Sequence, residues 1–276
     1  MFAEIIKDSV NPEGERITTF VVEYPRYIHG EVMAHRKFSR NAQSSRAIPV
    51  KKVLKQVWSN PVEPIVWLKN KPGMQATEPM TKTRRWFARK AWRFGAKMAC
   101  ISAWSMMKLG LHKQWANRVL EPFQSFKVII TSTEWDNFLN LRYHEDAQPE
   151  IYELAKAIKE ELEDSTPTKL NYRQWHLPFI TDKEISEHGI ANAKKMSVAR
   201  CARVSYLTHD KKYPTIEQDL NLFTRLVGSD PIHASPSEHQ AYADRADIKR
   251  NYKDKHLHGN LEGWVQYRKL IEKGRI

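Results

Sequence analysis

His35-Arg36-Lys37-Phe38-Ser39-Arg40-Asn41-Ala42-Gln43-Ser44-Ser45-Arg46 packs one imidazole, three guanidiniums, two amides and three hydroxyls into twelve residues, with only Phe38 and Ala42 apolar. A core helix does not tolerate that composition, because every buried polar group needs a partner. A solvated loop does not need it. So many donors in one place suit a flat, multiply charged, hydrogen-bonding ligand such as a nucleotide. The plainer alternative is a polar surface loop.

The flanking sequence sets the scaffold. Residues 3–9 and 16–23 enclose Asn11-Pro12-Glu13-Gly14, a turn signal, and Thr18, Thr19, Phe20, Val21 and Val22 favour extended backbone, so a hairpin is predicted. Pro25 ends the second strand and can start a helix reaching about Arg36. The polar stretch then straddles a helix end and the loop after it. Residues 49–58 place Val50, Val53, Leu54 and Val57 on one helical face. Asn70-Lys71-Pro72-Gly73-Met74 opens a polar loop. A long helix follows, with Phe87, Ala91, Phe94, Met98 and Ile101 at core spacing. Arg85, Arg89, Arg93 and Lys97 run beside that stripe, interleaved with Trp86 and Trp92. The first reading is a core stripe with a solvated flank, and the second a nucleic-acid surface. Residues 114–120 are read as helical, and 127–130 lead into a helix bearing Asn137 and Arg142. Ile151, Leu154, Ala155, Ile158 and Leu162 form another amphipathic stripe. A loop-rich connector spans 166–182, then helices near 197–206 and 217–227. From Ala246 the chain turns polar and basic.

The 276 residues include 45 Lys and Arg against 32 Asp and Glu, a net charge of +13. Nucleic-acid binding is the obvious reading of that excess. Small anionic ligands account for it as well, and the nucleotide reading is placed ahead. No apolar run approaches about eighteen residues, and Met1-Phe2-Ala3-Glu4 lacks a basic region followed by an apolar one. Neither a membrane span nor a signal peptide is expected. Cys100 and Cys201 are too few and too far apart for a zinc site or a disulfide framework, so a cytoplasmic setting without a metal site follows. No Gly-x-Gly-x-x-Gly occurs, which argues against a Rossmann mode.

The polar stretch resembles the signature of the flavin-dependent thymidylate synthases, the ThyX family, an R-H-R followed after seven residues by Ser. Here it reads Ala34-His35-Arg36 and then Ser44. Asn117-Arg118-Val119-Leu120-Glu121-Pro122 resembles the family's Arg-bearing helix near a Pro. Asn137-Phe138-Leu139-Asn140-Leu141-Arg142 resembles its N-F-L-x-L-R, and Ala147-Gln148-Pro149-Glu150-Ile151 its A-Q-x-E-I. Ala202-Arg203-Val204-Ser205-Tyr206 and His233-Ala234-Ser235-Pro236-Ser237-Glu238-His239 are similar to its A-R-V-S-[YF] and H-x-[ST]-P-F-E-H, with Ser237 in place of Phe. In the family these last two segments precede the signature, whereas here they follow it. That order implies a circular permutation, which is tolerated where termini lie close together on the surface. The resemblance covers about residues 17–60, 111–163 and 198–243.

The resemblance implies an α+β fold, a mixed β-sheet flanked by helices, in one domain over 1–276. Its parts would be a signature and nucleotide part at 1–165, a flavin-loop part at 183–245 and a basic tail at 246–276. It implies transfer of the methylene of 5,10-methylenetetrahydrofolate to C5 of dUMP, with reduced FAD as reductant and NADPH as electron source. The assembly would be a homo-oligomer, a tetramer in the family, with FAD between subunits. Arg142 would stabilise charge developing on the pyrimidine, as a fixed guanidinium can; its plainer role is a helix C-cap. Ser44, Ser45, Arg46 and Arg118 resemble the nucleotide-phosphate set, although Arg118 can equally form a surface pair with Glu121. His35 and Arg36, with Ser39, Asn41, Asn137, His233 and Ser235, fall at positions resembling flavin contacts, and Ser205 less clearly so. Glu238 and His239 are read as bracing the loop. Neither cysteine resembles a thiolate nucleophile, which agrees with a flavin mechanism.

The departures cluster in one pocket. Ala34 replaces the first Arg, Ala42 an acidic position, and Glu31 stands where the family has Gln. A carboxylate can accept from the amino group of cytosine. Methylation or hydroxymethylation of dCMP is therefore the alternative substrate reading. A flavin-free nucleic-acid-binding protein on the same scaffold is the alternative of a different class.

Overall fold

The computed structural model of the chain describes residues 1–73, 75–205, 214–248 and 250–274. In chain order the elements are β1 (Phe2–Val10), β2 (Arg16–Pro25), α1 (His29–Met33), β3 (Ser39–Ala42), α2 (Val50–Ser59), α3 (Lys82–Lys108) and α4 (Lys113–Ala116). Then come β4 (Ser125–Ser132), α5 (Asp136–Arg142), α6 (Pro149–Asp164), β5 (Thr168–Lys169), β6 (Trp175–His176) and α7 (Asp182–Ala202). The last are α8 (Ile216–Val227), β7 (Ala241–Ala243), β8 (Trp264–Gln266) and α9 (Tyr267–Glu272). Single-turn 3-10 helices cover Arg26–Ile28, Arg203–Ser205, Ser235–Glu238 and Lys255–Leu257, and a longer one covers Arg118–Phe123.

The main sheet runs β3-β4-β2-β1-β5, antiparallel throughout except for the parallel pairing of β1 with β5, so it is mixed. Side chains alternate across it. Phe20, Val22 and Tyr24 of β2 and Phe126, Val128 and Ile130 of β4 pack on Phe138 of α5 and on Ile151, Leu154 and Ile158 of α6. Val21 and Ile129, one residue out of step, pack on Cys201 and Val204 at the end of α7. Each such fully buried side chain contributes about 1.5–3 kcal/mol. The predicted hairpin is present. Asn11 makes its turn, accepting through Oδ1 from the backbone N–H of Glu13 (3.0 Å) and Glu15 (2.9 Å). The amphipathic stripe of α6 is buried as its spacing indicates, with Leu162 partly buried.

Four expectations are corrected. In α3, Phe87, Phe94, Met98 and Ile101 are exposed, and the buried face is Ala96, Cys100 and Ala103 against Val53 and Val57 of α2. Small side chains let two helices approach closely, so the bulky stripe faces outward. The basic tail is no tail. Leu257, Leu261, Trp264, Val265 and Tyr267 are buried, and β8 completes a second sheet of order β6-β7-β8. The connector at 166–182 likewise supplies β5 and β6 to the two sheets. The helix read near 197–206 is the end of α7, a helix interrupted at Gly189, whose φ of 73° only glycine adopts without strain. Tyr206, Met74 and the side chain of Ser205 lie outside the described residues. Among the described residues no helix is long and apolar enough to cross a membrane.

Candidate active site

Arg40 shapes the turn that carries the polar stretch. Its Nη1 donates to the carbonyls of Met33 (2.7 Å), His35 (3.2 Å) and Val32 (3.3 Å). These are the acceptors a continuing helix would have used, so α1 stops at Met33 instead of reaching Arg36. The chain reverses at Phe38 and returns as β3, where a loop was expected.

His35 is buried against Phe38 and Phe138, with ring centroids at 5.6 and 4.9 Å. Burial first, then the charges of Arg142 and Arg40, push its pKa down to about 4. The ring is neutral at pH 7, and its Nε2 accepts from Nε–H of Arg142 at 3.2 Å. Its proton therefore sits on Nδ1. Arg142 closes α5 one turn after Phe138, so the residue that anchors the helix also aims the guanidinium. Nη1 of Arg142 donates to Oε2 of Glu31 at 3.0 Å. Nη2 stays outside both bonds. One carboxylate and one neutral ring thus hold a guanidinium that can offset negative charge on a flat ring placed against it.

A second group lies at the far end of β3, which spans ~10 Å, comparable with a nucleoside monophosphate. Nδ2 of Asn117 donates to the carbonyls of Ser45 (2.8 Å) and Ile48 (2.9 Å), tying the turn after β3 to the segment that starts with Arg118. Ser45 is buried, Ser44 is half-buried, and Oγ of Ser44 accepts from the backbone N–H of Arg46 at 3.3 Å. Arg46 is exposed. Arg118, also exposed, donates to Glu121 at 3.2 Å, and the same carboxylate holds Arg26 at 3.0 Å.

Of the residues resembling flavin contacts, Asn41 and Ser235 meet, but the others do not gather with them. Because β3 alternates, Arg40 and Ala42 face α1 while Ser39 and Asn41 face the opposite side. There Asn41 donates through Nδ2 to the carbonyl of Cys201 (2.7 Å) and accepts from Oγ of Ser235 (3.1 Å). Ser39 is buried beneath Asn260 and Gln266, accepting from their side-chain amides at 3.0 and 3.3 Å. These three polar side chains bind the strand to its own chain. Arg36, Asn137 and His233 are exposed, and their side chains make no hydrogen bond among the described residues. Glu238 pairs with Arg268, and His239 is buried with Nδ1 2.8 Å from Oγ1 of Thr131. Burial pushes both thiols up, Cys201 furthest.

Sequence reasoning missed Arg40, Asn117, Asn260 and Gln266. It also missed Arg200, which joins Asp219 at 3.0 Å and Glu184 at 2.6 Å and so locks α7 to α8. Arg200 and Arg203 at i, i+3, both reaching Asp219, were the available signal.

A guanidinium, a neutral imidazole and a carboxylate thus lie at one end of β3 of this α+β protein, with hydroxyls and further guanidiniums at the other. The family model of the thymidylate synthase complementing proteins, Thy1, matches residues 16–168, and the chain belongs to that family. Among solved structures the chain is similar to the UMP/dUMP methylase PolB from Streptomyces cacaoi. With the form bound with 5-Br UMP the identity is 15% and the TM-score 0.43, over 58% of this chain and 87% of that one. With the form bound with 5-Br dUMP the values are 19% and 0.42, over 53% and 65%. No curated protein sequence matches the chain.

Proposed function

We propose that the protein transfers the methylene of 5,10-methylenetetrahydrofolate to C5 of dUMP, giving dTMP, with reduced FAD as reductant and NADPH as the electron source. Membership of the family supports the class of reaction. The observation that carries the reading to particular residues is the guanidinium of Arg142, held at 3.2 Å by His35 and at 3.0 Å by Glu31.

In this reading Arg142 lies against the pyrimidine and offsets the charge that builds on the ring as C5 becomes nucleophilic. His35, neutral, accepts from Nε–H and fixes the plane of the guanidinium without cancelling its charge. Ser44, Ser45, Arg46 and Arg118 take the phosphate; for Arg118 this means exchanging Glu121 for the ligand. The exposed Arg36, Asn137 and His233 suit the phosphates and ring edge of a flavin, whereas Ser39, Asn41 and Ser235 are already paired inside the chain. The flavin, when bound, supplies the hydride that completes the methyl group. The contacts of Asn41 with Cys201 and Ser235 support the permuted order, since both segments that follow the signature in sequence return to its strand.

Glu31 favours a second reading. Its carboxylate sits beside Arg142 and could accept from the amino group of cytosine, making dCMP the substrate, methylated or hydroxymethylated. The test is an anaerobic incubation with FAD, NADPH, methylenetetrahydrofolate, dUMP and dCMP, read by mass spectrometry. A methyl gain on dUMP alone supports the first reading. Gain on dCMP that moves to dUMP in Glu31→Gln supports the second. Gain on neither overturns both.

A further inference from the structure

The helix α3 changes character along its length. Lys82, Arg85, Arg89, Arg93, Ala96, Cys100 and Ala103, at spacings of 3, 4, 4, 3, 4 and 3, trace one stripe. The last three are core, packed on α2. The first four, on the same face, line a groove of about 660 Å³ together with Trp67 and Trp86, opposite the loop at 60–67. All four are exposed, and a row of four cations along a groove is the opposite of what a packing face requires.

The charge is poorly answered by the chain itself. The helix carries eight Lys and Arg and no Asp or Glu. Among the described residues lining the groove Glu63 is the single carboxylate, and Arg89 and Arg93 share it at 2.5 Å each. Lys82, Arg84, Arg85, Lys90 and Lys97 have no ion-pair partner among the described residues. At the groove's mouth the ring of Trp86 is 54% exposed, with Nζ of Lys90 5.3 Å from its centroid.

We propose that this groove binds single-stranded nucleic acid, with phosphates along Lys82, Arg85 and the neighbouring Lys90 and a base stacked on Trp86. Cations that follow a strand and aromatic rings that take any base are the two parts such a surface needs. A second copy of the chain fits poorly, because it would bring two acid-free basic helices together. A membrane surface would take the other side of α3, where Phe87, Phe94, Met98 and Ile101 are exposed, whereas the basic stripe and Trp86, which shares its sector, line the groove. The proposal stands on α3 and the loop beside it, independently of the pyrimidine reading.

The test is fluorescence anisotropy of the full chain with labelled oligo(dT) of about twelve nucleotides, between about 50 and 200 mM NaCl. Binding should weaken with a log–log salt slope of about −2, three phosphates at ~0.7 each. Trp86→Ala should cost about tenfold at unchanged slope. The double variant Arg85→Ala/Lys90→Ala should reduce the slope by about 1.4, and none of these changes should alter pyrimidine turnover. No anisotropy change at about 50 mM salt overturns the proposal. So does equal affinity for a duplex, or binding indifferent to these substitutions. Trp86-dependent binding to phosphatidylserine vesicles instead of DNA would make the surface a membrane contact. Loss of an oligomer on Trp86→Ala would make it a self-interface.

Discussion

Replacing Thr131 by Val should unlatch the loop that holds the signature strand. Thr131 sits in a buried chain of hydrogen bonds on the α7 side of the sheet. Its Oγ1 is 2.7 Å from Oγ1 of Thr19 and 2.8 Å from Nδ1 of His239. Thr19 continues to Nε2 of His176 at 2.9 Å, and Nδ1 of His176 to Oγ of Ser9 at 3.0 Å. Nε2 of His239 has no partner among the described residues. A bare acceptor costs less there than an orphaned N–H, so His239 donates from Nδ1 and the wire runs toward Ser9. In Thr131→Val, His239 loses its remaining partner at ~1–3 kcal/mol, and the bond between the two hydroxyls goes at ~1 kcal/mol. A loss of about 3 kcal/mol follows, a fall in urea midpoint of ~1 M for a slope near 3 kcal/mol per M. His239→Phe removes the group that suffers. The double variant should therefore cost at least ~1 kcal/mol less than the sum of the singles. Urea unfolding followed by tryptophan fluorescence gives all three values. Additivity within ~0.3 kcal/mol, or a cost below ~0.5 kcal/mol for Thr131→Val, would refute the wire. Thr131 pairs with Ser39 across β3 and β4, so Thr131→Val should also raise KM for the pyrimidine nucleotide.

Three further outcomes are expected. Arg142→Lys keeps the charge but not the planar fork that meets His35 and Glu31 together, and kcat should fall by about a hundredfold, the scale of one lost charge-stabilising donor, with an unchanged circular dichroism spectrum. The pKa values of His35 and His239 are lowered by burial to about 4 and about 3, and that of His176 well below its usual value, so the folded state binds fewer protons than the unfolded one below about 6.5. Stability is complete above that pH and should drop by up to ~1.4 kcal/mol per unit per histidine as pH falls toward 4; a melting temperature flat from pH 7 to 4.5 would contradict it. Gly263 has φ +79°, and an added Cβ would lie 2.8 Å from Nδ2 of Asn11, 2.9 Å from Cγ of Glu15 and 2.9 Å from the hydroxyl of Tyr252. Gly263→Ala should cost ~2–4 kcal/mol and lower the melting temperature by about 5–10 °C, measured by scanning calorimetry.

The hairpin and α6 were legible because each signal is local, a turn residue between β-prone runs in one case and an apolar stripe at helical spacing in the other. In α3 the same spacing misled. Ala96, Cys100 and Ala103 are as regular as Phe87, Phe94, Met98 and Ile101, and periodicity does not say which of two stripes meets a neighbour. The C-terminal segment hid its burial because strands of three residues are too short to show alternation. The site divided along another line. Arg142 is named by the N-F-L-x-L-R resemblance and Glu31 by the departure beside the signature, whereas His35, expected at the flavin, is buried against Phe138 with its Nε2 turned to Arg142. Ser39 and Asn41 fall at positions resembling flavin contacts, and a loop over residues 39–42 would leave every side chain free to turn toward a ligand. As a strand, the same four residues alternate, and Arg40 must point to α1 if Asn41 points to Cys201. One misassigned element therefore separates two sets of polar residues that look continuous in sequence. It also gives the second set its role: Ser39 and Asn41 hold the permuted segments and the C-terminal segment to β3, so that His35 and Ser44 stay in register at its two ends.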